Sequence, residues 1–108
     1  SQQQRYNMTT SEQLFILISP KALKDELVDL FISMEQLSGF NLKKINGYSR
    51  EHSSFNITEQ VEGYREFYQF EILISNEDKA MLFALLTPIC QAEKLRYWLM
   101  PISESGHF

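Results

Sequence analysis

Apolar periodicity along this chain switches in the order strand, helix, strand, strand, helix, strand. That order predicts an α+β domain with one four-stranded antiparallel sheet and two helices on one of its faces. Three observations carry the expectation. Leu14 to Ile18 is a continuously apolar run, Leu23 to Met34 repeats apolar residues at helical spacing, and Tyr64, Tyr68, Phe70, Ile72 and Ile74 share one parity of an alternating segment. Two βαβ-like halves of this kind fold into the ferredoxin-like βαββαβ arrangement.

The first run, Leu14-Phe15-Ile16-Leu17-Ile18, suits a short strand in the middle of a sheet, where both faces are buried. Ser19 then reads as a helix cap with Pro20 at the first helical position, where a missing amide costs nothing. The helix extends to about Gln36, with Leu23, Leu27, Leu30, Phe31 and Met34 on one stripe and Lys21, Lys24, Asp25 and Asp29 largely off it. Gly39 ends the excursion. A second strand spans about Phe40 to Ser49. From Tyr64 a third strand alternates a buried face with a wet face bearing Arg65, Gln69 and Glu71. Ser75 or Asn76 caps a second helix, and Glu77 and Asp78 sit well at its positive end. Pro88 is expected to end or bend that helix near Thr87. The last strand spans Leu95 to Ile102, and Pro101 favours an edge position for it.

A sheet covered on one side leaves its other side bare. Phe67, Leu73 and one side of the strand holding Tyr97 and Trp98 would line that face. Such apolar surface predicts burial against further copies in a symmetric oligomer.

Composition bounds the rest. The 108 residues, 44% hydrophobic and 22% charged, make one packed domain. A net charge of −4 argues against a sequence-independent grip on nucleic acid. Cys90 is the single cysteine, so no internal disulfide forms and a reducing compartment is implied. The apolar runs Leu14 to Ile18 and Met81 to Leu86 are too short to cross a bilayer, and Ser1 to Asn7 lacks the apolar centre of an export signal. The reading is therefore a cytoplasmic protein, with residues 1–10 as a polar, disordered leader and 11–108 as the domain.

Three segments carry a family resemblance: Asn46-Gly47-Tyr48-Ser49-Arg50 at the base of a long loop, Glu59-Gln60-Val61-Glu62-Gly63 at its return, and Arg96-Tyr97-Trp98-Leu99-Met100-Pro101-Ile102 in the last strand. With the element order, they make the chain resemble the PII signalling superfamily. It is most similar to the uncharacterised PII-like branch that carries a domain-of-unknown-function label. The resemblance implies a homotrimer of ferredoxin-like subunits with sheets facing inward, ligand sites in the clefts between subunits, and no catalysis. It also implies a loop, here about 50–63, that docks onto a protein target. Gly47 and Arg50 match the loop base of typical members, where glycine permits the turn and arginine reaches phosphate oxygens.

The chain departs from that pattern in places. Ser49 and Glu51 replace a second glycine and a glutamine, and a carboxylate near phosphates repels them. Phe67 stands where a basic residue is expected. The short Gln91-Ala92-Glu93-Lys94 replaces a glycine-rich phosphate loop, and Ser103 to Phe108 replaces a basic tail. A nucleotide stays one candidate effector, without the usual phosphate-binding features, and the cofactor is unassigned.

The candidate ligand-binding residues are Gly47, Tyr48, Ser49, Arg50, Arg65, Lys94 and Arg96, with Lys94 and Arg96 completing a basic cleft with Arg65. Each of these cations also has an ordinary reading as solvated rim charge. An alternative function, metal binding or metal tolerance in a trimer, rests on His52 and His107 with Cys90 and the methionines, because sulfur and imidazole suit copper or zinc. No local pair such as His-x-His supports it. Tyr97 and Trp98 as a base-stacking platform fit poorly with the acidic balance. His52 beside Ser53 and Ser54 lacks the partners of a nucleophile triad. The expected function is thus a noncatalytic regulator whose loop changes order when a small effector binds.

Overall fold

The computed structural model describes residues 12–48 and 64–108. The expected leader at 1–10, the candidates Ser49, Arg50 and His52, and all of the expected loop at 50–63 lie outside the described residues. Within them the chain runs β1 (Glu12–Pro20), a 3-10 turn (Lys21–Leu23), α1 (Lys24–Ser33), β2 (Phe40–Gly47), β3 (Arg65–Ser75), α2 (Asn76–Cys90) and β4 (Tyr97–Pro101). The sheet order is β2-β3-β1-β4 and every neighbouring pair is antiparallel, which is the ferredoxin-like arrangement. The apolar run at Leu14 lies in central β1, and Pro101 lies in edge strand β4, as their sequences require.

Register decides which side chains meet. Phe15 faces Ile72 on one side and Leu99 on the other, and Leu17 faces Phe70 and Tyr97. Phe15, Leu17, Phe70, Ile72 and Ile74 therefore form one floor, onto which α1 sets Leu27 and Phe31 and α2 sets Leu82 and Leu86. Phe31 meets Phe70 and Phe40 edge-on, with ring centroids 5.1 and 5.6 Å apart. Each such fully buried side chain stabilises the fold by about 1.5–3 kcal/mol.

The opposite parity forms the face that the helices leave open: Leu14, Ile16 and Ile18 of β1, Phe67 and Leu73 of β3, and Trp98 and Met100 of β4. At its β2 side the apolar surface gives way to charge, where Lys43 pairs with Glu71 at 3.7 Å.

Several boundaries differ from the sequence expectation for identifiable reasons. Ser19 caps nothing. It is fully buried in β1 opposite Tyr68, and its hydroxyl donates to the Pro20 carbonyl at 2.8 Å. Sheet pairing through Pro20 outweighs the capping preference, so the helical path starts only at Lys21. α1 stops at Ser33, short of Gln36, because Met34 turns extended and drops into the core at 6% exposure. α2 runs past Pro88 to Cys90. Proline there withholds a single amide, while Thr87 Oγ1 donates to the Phe83 carbonyl at 2.7 Å and the Gln91 N–H donates to the Thr87 carbonyl at 3.0 Å. β4 begins at Tyr97 rather than Leu95, since the preceding residues close α2. The cap at Ser75 is as expected: its hydroxyl accepts from the Asp78 N–H at 3.2 Å.

Adjacent residues of a strand point to opposite faces. Trp98 lies on the open face opposite Ile16, whereas Tyr97 packs on the helix side against Phe15 and Phe83. The two cannot form one stacking platform, and only Trp98 of the pair belongs to the bare face.

Candidate functional site

The site is assembled where α2 hands the chain to β4. The Leu95 N–H donates to the Cys90 carbonyl at 3.4 Å and the Lys94 N–H to the Gln91 carbonyl at 3.3 Å. This pair of bonds is a Schellman closure, and its left-handed position, usually glycine, is Lys94 at φ +52. A side chain held there costs about 1–3 kcal/mol of backbone strain. The chain then passes the end of β1, where the Ile18 N–H donates to the Arg96 carbonyl at 3.0 Å. Lys94 and Arg96 are thereby brought beside the ends of β1, β2 and β3.

Across from them, β2 ends and β3 begins. Gly47 pairs with Arg65, and the Phe67 ring lies so close over Gly47 that a Cβ there would meet Cδ2 and Cε2 at 2.5 Å. The Arg65 guanidinium sits 5.3 Å from the centroid of the same ring, a cation–π contact. Tyr48 and Tyr64, which flank the 49–63 segment, bring their rings to 5.8 Å.

Between these two sides lies a concavity of about 360 Å³ at one end of the open face. Five of the seven predicted ligand-binding residues, Gly47, Tyr48, Arg65, Lys94 and Arg96, line it together. Ser49 and Arg50 lie outside the described residues. Gly47 serves close approach rather than a turn, since among described glycines only Gly39 has positive φ. Phe67 and Trp98 form the apolar part of the lining, and Glu93 contributes a carboxylate. Sequence reasoning did not place Phe67 there, although its shared parity with Arg65 was the available signal. Three cations around an aromatic floor can hold an anion through charge-assisted hydrogen bonds while stacking a planar group.

The predicted metal ligands are not brought together. His107 is exposed near the C-terminus, His52 lies outside the described residues, and among the described residues no group of three His, Cys, Asp or Glu side chains could hold a metal. Burial, with a smaller contribution from Glu26, pushes the Cys90 thiol up and keeps it protonated. Among the described residues no helix is long and apolar enough to cross a membrane.

A family model described as "Protein of unknown function (DUF3240)" matches residues 9–108. The chain is similar to a solved structure described as the crystal structure of a DUF3240 family protein from Shewanella baltica, with 40% identity, 92% of this chain and 98% of that chain covered, and a TM-score of 0.75. No curated protein matches.

Proposed function

We propose, from the premise that the chain belongs to the family described as protein of unknown function (DUF3240), that it is a noncatalytic regulator of the PII-like kind. Its effector is a small anion held in the concavity at the end of the open sheet face. The observation that carries this reading is the convergence of Arg65, Lys94 and Arg96 in one concavity with Gly47 and Tyr48. Tyr48 lines the concavity and meets Tyr64, so the two residues that flank the 49–63 segment stand beside the proposed anion, and this reading gives that segment the signalling role. A protein target that reads the segment would then respond to the effector by population shift. The apolar residues of the open face, Ile16 in central β1 and Trp98 in edge strand β4 among them, support assembly with further copies, which this reading takes to be a cytoplasmic homotrimer with the site at the seams between copies.

The experiment is a thermal-shift screen of nucleotides, inorganic phosphate and dicarboxylates, followed by calorimetry on any compound that raises the melting point. Arg65→Ala and Arg96→Ala are each expected to weaken the selected anion about tenfold, the size of one charge-assisted hydrogen bond, with the fold intact. Unchanged affinity in both variants refutes the site.

A further inference from the structure

α2 does not close fully onto the β1–β4 half of the sheet. On the helix-covered side a second cavity of about 370 Å³ opens there, bounded by Phe15 and Leu17 of β1, Phe83, Leu86 and Cys90 of α2, and Tyr97 of β4. Its size lies in the range of small-molecule sites, about 300–1,000 Å³. The open-face concavity lies on the other side of the sheet, and the two share Lys94 and Leu95 as a common wall.

Three features define what this cavity accepts. First, three rings converge on it. Phe15 is 5.5 Å from Phe83 and 5.7 Å from Tyr97, and Phe83 meets Tyr97 edge-on at 5.1 Å. Tilted and edge-on rings are the geometry into which a further aromatic ring packs favourably. Second, the interior offers little to a polar ligand. The Thr87 hydroxyl is already committed to the Phe83 carbonyl, and the Cys90 thiol is neutral. Third, among the described residues Lys94 is the one cation in the lining, and it is exposed. Lys79 lies 5.8 Å from the Phe83 ring without lining the cavity.

We infer that this cavity binds a small aromatic carboxylate, its ring against Phe83 and Tyr97, with the buried Phe15 behind them, and its carboxylate on Lys94 Nζ. A neutral aromatic compound would lack the charge anchor. A compact hydrophilic anion would leave the apolar walls wet and take no benefit from the rings. Lys94 stands at a left-handed position that glycine would fill without strain, which fits a role for its charge. The inference does not rest on the proposed function: both use Lys94, but Arg65, Arg96 and Trp98 line only the open-face concavity, while Phe83, Cys90 and Tyr97 line only this cavity.

The test uses the intact protein with 3-phenylpropionate, and with 3-phenylpropanol and inorganic phosphate as comparators. Calorimetry gives the affinities and NMR shift mapping the location. Saturable phenylpropionate binding is expected, with shifts at Phe83, Leu86, Cys90 and Tyr97 and with phenylpropanol about tenfold weaker. Lys94→Gly is expected to lower phenylpropionate affinity about tenfold and leave phenylpropanol unchanged. Arg65→Ala leaves both unchanged, which separates this site from the other. Cys90→Phe fills the cavity and blocks both aromatic compounds. If that variant does not fold, Lys94→Gly and the shift map still decide. The inference is overturned by any of four results: no saturable binding, equal affinity for acid and alcohol, shifts confined to Arg65, Phe67 and Trp98, or cavity shifts that follow protein concentration alone. The last result would mean that a second copy occupies the cavity.

Discussion

Phe67 lies directly over Gly47, with ring atoms 2.5 Å from where a Cβ at residue 47 would stand. The contact ties the end of β2 to the start of β3, and the same ring lies 5.3 Å from the Arg65 guanidinium. A glycine in a strand ordinarily weakens it, so alanine would be favoured at this position were the ring absent. Gly47→Ala is instead expected to destabilise by about 1–3 kcal/mol, the cost of overpacking. In a Phe67→Ala background the same change should cost close to nothing. Urea denaturation of the four proteins in this cycle measures the coupling, and equal costs in both backgrounds would mean that the ring does not constrain residue 47.

Lys94 is expected to separate stability from binding. Lys94→Gly removes the left-handed penalty and should raise stability by about 1 kcal/mol, or roughly 4 °C in Tm for a domain of this size. Lys94→Ala removes the same charge but keeps the backbone penalty, so it should lose anion binding without gaining stability. If both variants melt with the wild type, the Schellman closure at Cys90–Leu95 is not strained as its dihedral indicates.

These two positions mark the limit of what the chain discloses before folding. Phe70 and Ile72 announce the buried face of β3, because period-two burial depends on nothing beyond neighbouring residues, whereas the unbroken run Leu14 to Ile18 announces a central strand without saying which parity meets the helices. The grouping of Arg65, Lys94 and Arg96 was legible from element order, which brings β2, β3 and the turn before β4 to one end of the sheet, and Gly47 entered through the family resemblance. Ser19 was misread because cap chemistry is local, while the pairing of Ser19 with Tyr68 spans the sheet. Phe67 under Arg65 and the cavity beneath α2 depend on side-chain fit and on how far a helix stands from the strands. Shared parity puts Phe67 on the face of Arg65, but no spacing in the sequence encodes the ring contact or the cavity.

The open face makes an independent prediction. Trp98 of edge strand β4 and Ile16 of central β1 are cross-strand neighbours on it, and Ile16 is already only 6% exposed within a single chain. A charge at residue 98 would have to be buried if copies meet on this face, and buried unpaired charge costs several kcal/mol. Light scattering on the wild type is expected to return three times the chain mass, and Trp98→Glu a single chain mass with a cooperative melt. A wild-type monomer at micromolar concentration would remove the trimer from the proposed function.

The Cys90 thiol supplies a pH signature with a definite sign. Burial, reinforced by Glu26, raises its pKa in the folded protein above the ordinary 9.0, so the folded state holds the proton more tightly than the unfolded chain. The stabilisation is therefore fully present below pH 9.0 and is lost as pH rises from there through the folded value. Lysines and tyrosines titrate in the same range, so the observable is the difference between the wild type and Cys90→Ala in urea denaturation. That difference should stay flat at neutral pH and shrink steadily under alkaline conditions. The aromatic disulfide reagent used for thiol counting should also react more slowly with the folded than with the unfolded protein at pH 8, because only the thiolate attacks. A difference that grew with pH would mean that the thiolate is the favoured form in the fold. Lys94, which shares the cavity lining with Cys90, would then be its partner rather than an anchor for a carboxylate.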